Sequence, residues 1–460
     1  MTNQAMKTQT TIATILFSAA SLVLAGCGGV DSNTPVNTPV TVSGLTLHGT
    51  VHGGQQPVNG TTMQLYAAGS TGYGSAFTYT SGTSLLGMHV VKTDINGGFN
   101  ITGDYTCPTA TTEVYLVATG GSPGPTAPAN NNIALMAALG PCGLLSGSTN
   151  VVVNEITTVA SVWALSPFMT GIANIGTSST NAQGLTNAFA TVNELTNIST
   201  GSVSGPALPA GASLSGTMVA KINTLADLLA ACINSAGGST PGDGSGCGNL
   251  FAAATVGSAA PTDTITAAMN MAQHPNANTS VANNVTAQSQ FQPALLSAPS
   301  DFSLVITYTG GGLSTPKGIA TDTGGNVWVA NSGANSVTEF DALGITTTDA
   351  TGYLSGSNGY TVGSLSAPVA LAIDPSGNAW VANGNSTVTE IAASGSPGTL
   401  FSGGSMSSPS GVAIDASNNV WVANSGNGSV TEITPGSTPV YANYTGSGIA
   451  APSAIAINPK

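Results

Sequence analysis

Along the last third of the chain, alternating apolar and polar residues recur in blocks of one design. PKGIATDTGGNVWVANSGANSVTEF opens at Pro316, PVALAIDPSGNAWVANGNSTVTEI at Pro368 and PSGVAIDASNNVWVANSGNGSVTEI at Pro409, and a fourth copy, PSAIAIN, opens at Pro452. The prolines stand 52, 41 and 43 residues apart, a period that signals a repeat architecture. The alternation of period two predicts short strands, which in the first copy are 318–322, 326–331 and 336–340. The first two strands are joined by Asp322…Gly325-Asn326, Asp374…Gly377-Asn378 and Asp415…Asn418-Asn419. Gly and Asn tolerate the positive φ that a bulged hairpin needs. The Asp carboxylate can accept backbone N–H groups inside such a turn, and Pro375 suits its second position. Trp328, Trp380 and Trp421 recur at one site in the second strand, where a large ring can fill the gap between neighbouring sheets.

Together these blocks resemble NHL-type β-propeller repeats, over about residues 302–460. YTGGGLSTP before the first copy matches YTGSGIAAP before the last. Residues 304–309 are therefore expected to be an outer strand that completes the last sheet, as propellers close. The count is about three and a half blades, below the roughly four to eight of a ring. The expectation is that the protein continues past Lys460, or that two chains share a ring.

The repeated Asp322, Asp374 and Asp415 could bind Ca²⁺ with Asn326, Asn378 and Asn419, but calcium loops bring more carboxylates than one each. Turn capping is the favoured reading. Glu339, Glu390 and Glu432 recur in Val-Thr-Glu on the third strand and are expected to form a solvated face. Asn331, Asn383 and Asn424 end the second strands at one rim and are the candidate contact surface, with turn formation as the alternative. Streptogramin lyases resemble this repeat pattern, and that family implies a catalytic His beside a metal. The four histidines, His48, His52, His89 and His274, all lie outside the repeats, so no catalytic residue carries over. A lyase or hydrolase would need residues beyond Lys460.

Upstream, residues 44–121 alternate as short strands. GTVHGGQQPVNGTTMQLY with TDINGGFNI resembles the carboxypeptidase-regulatory or transthyretin-like β-sandwich, which implies an accessory domain over 44–125 without chemistry of its own. His48 and His52 fall on one face of a strand, with no third ligand evident in the sequence nearby. From about 126 to 300 the spacing turns helical: Ile156, Val159, Ala160, Trp163; Leu185, Phe189, Val192; Ile222, Leu225, Leu229, Cys232; Ile265, Ala268, Met269, Ala272. This reads as a helical spacer that seats the repeats, with no stripe expected to be long enough to span a membrane.

Composition narrows the function. Charged residues are 5% of the chain, with five Lys, no Arg, eighteen acids and a net charge of −13. Nucleic acid is excluded as a partner because phosphate binding needs clustered cations. Lys7, the apolar run 12–24 and Leu24-Ala25-Gly26-Cys27 make a targeting segment. It resembles a bacterial lipoprotein signal over 1–26, which implies acylation of Cys27; Gly28 in place of Asp implies outer-membrane sorting. Residues 27–43 read as a flexible tether. The remaining four cysteines suit an exported, disulfide-bonded protein, Cys232 with Cys247 across a short loop and Cys107 with Cys142. The chain is thus expected to be multidomain and mainly β: a small sandwich, a helical spacer and an incomplete NHL-like propeller. The expected role is binding or scaffolding at the cell envelope, membrane-held by its lipid. Its polar, nearly cation-free face suits glycans or another exported protein. No cofactor, metal site or active site is legible.

Overall fold

The computed structural model describes residues 42–77, 84–145, 147, 149–203, 208, 211–238, 240–284, 290–341 and 353–458. The signal segment, Cys27 and all but the last two tether residues lie outside these.

The strand Leu47–Gly53 alternates strictly, with Leu47, Gly49, Val51 and Gly53 buried and His48, Thr50 and His52 half-buried on the opposite face. It pairs antiparallel with Gln56–Asn59 and Gly98–Ile101, and parallel with Asn150–Val153. A second sheet runs Ala134–Pro141, Glu113–Thr119, Thr62–Ala67, Val91–Lys92. The disulfide Cys107–Cys142 ties strand ends of this region together.

Five α-helices are described: α1 (Glu155–Leu165), α2 (Ala182–Leu195), α3 (Gly216–Ile233), α4 (Gly246–Ala253) and α5 (Thr264–Gln273). Asn154 caps α1, its side chain accepting from the Thr157 N–H while the Thr157 hydroxyl accepts from the Asn154 N–H, a reciprocal cap that fixes the start of the helix. Helices and sheets share one apolar core, from Leu47 and Leu116 to Val159, Leu225 and Phe302. The boundary drawn at 125/126 is crossed by this packing, since Ala134–Pro141 and Asn150–Val153 are strands of the two sheets. Hydroxyls of α1 and α5 serve the edge of the second sheet: Thr264 Oγ1, Thr158 Oγ1 and Ser161 Oγ accept from the N–H groups of Ala134, Met136 and Ala138. An open edge would leave those donors unpaired. Helix α3, at 18 residues, is long and apolar enough to cross a bilayer, against expectation. It packs instead on α1 and α4 in the core, with α4 clipped to it by Cys232–Cys247.

The repeats form three consecutive sheets. Their inner, second and third strands are Pro316–Thr321, Val327–Asn331, Ser336–Phe340; Pro368–Ile373, Ala379–Asn383, Thr387–Ile391; and Pro409–Ile414, Val420–Asn424, Ser429–Thr434. The second and third sheets gain outer strands Gly398–Phe401 and Val440–Thr445. In the first sheet Tyr353 and Tyr360 bridge singly to Phe340 and Val337. Inner strands lie side by side at backbone contact. A Cβ on Gly318 would stand 2.8 Å from Ala370 Cα, and one on Gly411 3.2 Å from Ala454 Cα. This explains why the third position of each copy is Gly, Ala, Gly, Ala. Trp328 and Trp380 are buried in apolar layers between consecutive sheets. The expected closing strand at 304–309 is not made: Thr307–Tyr308 pairs with Ala212–Ser213 instead.

Candidate functional site

Each repeat turn is built round its aspartate. Asp374 Oδ1 accepts from the N–H groups of Ser376 (2.8 Å) and Asn378 (2.9 Å), and Oδ2 from Asn378 Nδ2 (3.0 Å) and Trp380 Nε1 (3.1 Å). Asp415 has the same four donors in Ser417, Asn419 and Trp421. Asp322 accepts from the N–H and side chain of Asn326 and from Trp328. The residue before the Asn takes positive φ in all three, Gly325 at 86°, Gly377 at 85° and Asn418 at 64°, as the turn pattern requires. Desolvation works to raise the Asp415 pKa, but the donors of Trp421, Asn419 and Ser417 outweigh it and hold the carboxyl below its ordinary value. The carboxylates thus cap the turns and lock each tryptophan.

These turns surround an open concavity of about 460 Å³ at the ends of the inner strands. Its wall is Thr321, Ile373, Ile414 and Ile457, one residue from each copy, and its rim is Asp322, Asp374, Asp415 and their neighbours. Backbone contact between inner strands brings these side chains together. The repeat alignment shows the four positions as equivalent, but not that they converge on one groove.

The asparagine rim is not a surface. Asn331, Asn383 and Asn424 are fully buried. Each amide donates to a third-strand threonine, Thr338, Thr389 or Thr431, at 2.9 Å. Those hydroxyls donate on to the carbonyls of Gly311, Gly363 and Gly404. The asparagine therefore stitches the second strand, the third strand and the entering loop, and no ligand reaches it. One of the three glutamates departs from the expected solvated face, while Glu390 and Glu432 stay partly exposed. Glu339 is buried, accepting from Tyr360 Oη (2.7 Å) and Asn326 Nδ2 (3.2 Å). Burial pushes its pKa up to about 7, the Tyr360 bond opposing and the Asp322 charge adding. Glu390 is raised by desolvation and by the charge of Asp374, and Glu432 accepts from Tyr444 Oη at 2.6 Å.

Sequence reading missed the aromatic partners of the tryptophans. Tyr360, Phe401 and Tyr444 lie 5.6, 5.0 and 5.4 Å from Trp328, Trp380 and Trp421. Their distances along the chain vary with loop length, which hides them from a fixed-period comparison. His48 and His52 share a strand face as expected, and burial lowers the His52 pKa. Among the described residues, no three acid, His or Cys side chains group as a metal site.

An NHL repeat family model matches residues 406–432, which contain the third turn and Trp421. No curated protein matches the chain. Among solved structures, it is similar to a streptogramin B lyase at 16% identity, over 31% of this chain and 45% of that one, with a TM-score of 0.26. It is similar to an inactive virginiamycin B lyase from Staphylococcus aureus with quinupristin at 19% identity, over 32% and 46%, TM-score 0.25. A gluconolactonase from Xanthomonas campestris is matched at 17% identity, over 30% and 51%, TM-score 0.25. The chain spans about half the length of these structures. The repeats form three consecutive antiparallel sheets, and the NHL repeat match falls on the third. The protein as a whole is mainly β and carries two disulfides.

Proposed function

We propose that this chain is an exported, lipid-anchored binding or scaffold protein of the cell envelope. In this reading a small sandwich and its helices carry the propeller, and the axial groove is the contact surface. One observation carries it: the repeated carboxylates at the groove are consumed by donors in their own turns. What remains for a ligand is an isoleucine wall under a rim of turn backbone. Such a surface suits a glycan or an apolar segment of another exported protein better than an anionic ligand, and its rim carboxylates are already engaged by donors in their own turns. The export reading is supported by the disulfides and by Leu-Ala-Gly-Cys after the apolar run.

Two experiments test it. In a Gram-negative host the chain should incorporate labelled palmitate and fractionate with outer membranes, and Cys27→Ser should lose both; label retained by the variant refutes the anchor. The purified protein, titrated with neutral xylo-, cello- and chito-oligosaccharides, should show a saturable change in tryptophan fluorescence that Ile414→Asp abolishes. A panel without any saturable response removes glycans, and an unaltered response in the variant removes the groove.

A further inference from the structure

A second concavity, of about 270 Å³, lies where residues 302–308 cross the ends of α1 and α2. Trp163, Glu194, Leu195, Leu304, Ile306 and Tyr308 line it. The crossing is fixed at both ends. The Trp163 indole donates to the Phe302 carbonyl at 2.7 Å, and Thr307–Tyr308 pairs with Ala212–Ser213. Glu194 is only 6% exposed, and its carboxylate accepts from Tyr308 Oη at 3.2 and 3.4 Å.

The electrostatics of this pocket point to one sign of ligand. A buried carboxylate is costly unless a cation pairs it, and among the described residues the ion pairs are Lys221–Asp301 and His89–Asp104; neither involves Glu194. Trp163 sits in the last turn of α1, and Glu194 and Leu195 in the last turn of α2. The last turn of a helix carries the negative end of its dipole, which favours positive charge. The remaining wall is mostly apolar and aromatic, with one hydroxyl from Thr191, and aromatic faces suit alkylated cations. Its volume falls just under the roughly 300–1,000 Å³ of sites for drug-sized molecules, so the occupant is small.

We propose that this pocket binds a small organic ammonium ion, with Glu194 pairing its charge and Trp163 and Tyr308 flanking its alkyl groups. Burial lifts the Glu194 carboxyl above its ordinary value, with the Tyr308 bond opposing, the condition of a group that lacks its counter-ion.

The test is calorimetric titration of the purified chain with choline and with its neutral isostere 3,3-dimethyl-1-butanol. Choline should bind saturably and at least about tenfold more tightly than the isostere, the order expected of a charge-assisted pair. Glu194→Gln should weaken choline by about tenfold or more while leaving the isostere unchanged. Equal binding of the two ligands, no saturable heat from choline, or an unaffected Glu194→Gln each overturns the proposal. If the variant fails to fold by circular dichroism, the comparison of the two ligands on the wild-type protein still decides.

Discussion

Replacing Glu155 by Gln should flatten the dependence of stability on pH. Glu155 opens α1 with its side chain fully buried. Its Oε1 accepts from the Gly54 N–H at 2.7 Å, and its Oε2 has no partner. Burial pushes its pKa up to about 8; the N–H groups of Glu155 and Gly54 oppose this and the charge of Asp227 adds to it. The unfolded chain releases the same proton near 4.5. Between those values the folded state binds more protons than the unfolded state, so stability falls as pH rises through the window and is fullest below it. One pH unit across a fully separated pair is worth about 1.4 kcal/mol. From pH 5 to 8 the ceiling is therefore about 4 kcal/mol, and relaxation and water entry around a buried charge reduce it to an expected 2–3 kcal/mol, roughly. The amide keeps the Oε1 acceptor and removes the charge. Urea unfolding with disulfides intact, at pH 5, 6, 7 and 8, gives the comparison. The variant should match wild type within about 1 kcal/mol at pH 5 and exceed it by about 2 kcal/mol at pH 8. Self-repulsion from the net charge is nearly common to both proteins and largely cancels. Parallel profiles would refute the assignment of a buried, proton-holding Glu155. Glu113, pushed up to about 7 by burial against a Thr186 hydrogen bond, should lower wild-type stability in the same direction.

Three further outcomes follow from the repeats and the core. Asn383→Ala removes the amide that holds Thr387 and Thr389 and should cost about 1–3 kcal/mol in urea unfolding; a neutral result would return this residue to the surface. Asp374→Ala leaves the Trp380 and Asn378 donors unpaired and should cost about 2–4 kcal/mol, while millimolar calcium should leave the wild-type Tm unchanged, against the loops being calcium sites. Opening the 15-residue loop with Cys232→Ser and Cys247→Ser should lose about 3 kcal/mol, measured by urea unfolding of the variant and the parent without reductant, so that Cys107–Cys142 stays closed in both; a variant as stable as the parent would show that α4 docks without its clip.

The repeat is legible in local chemistry. Alternation fixed the strands at Ser336–Phe340 and its equivalents, and the turn chemistry of Asp374, Gly377 and Asn378 could be read residue by residue. Both are interactions within a few positions, where side-chain type and backbone conformation are directly coupled. Helix stripes such as Leu185, Phe189 and Val192 were legible for the same reason. What faces what depends on how the chain packs. Ala134–Pro141 is buried almost throughout because a sheet and helices cover it, so it carries no alternation and its sequence does not set it apart from the helical region. Polarity alone suggests exposure for Asn383, yet a buried amide is satisfied when hydroxyls and carbonyls arrive from other segments. The aromatic partners of the tryptophans, the convergence of Ile373, Ile414 and Ile457, and the meeting of Glu194 with Tyr308 all join residues separated by long stretches of chain. Distance along a sequence does not encode proximity across a core, and only the packed chain supplies it.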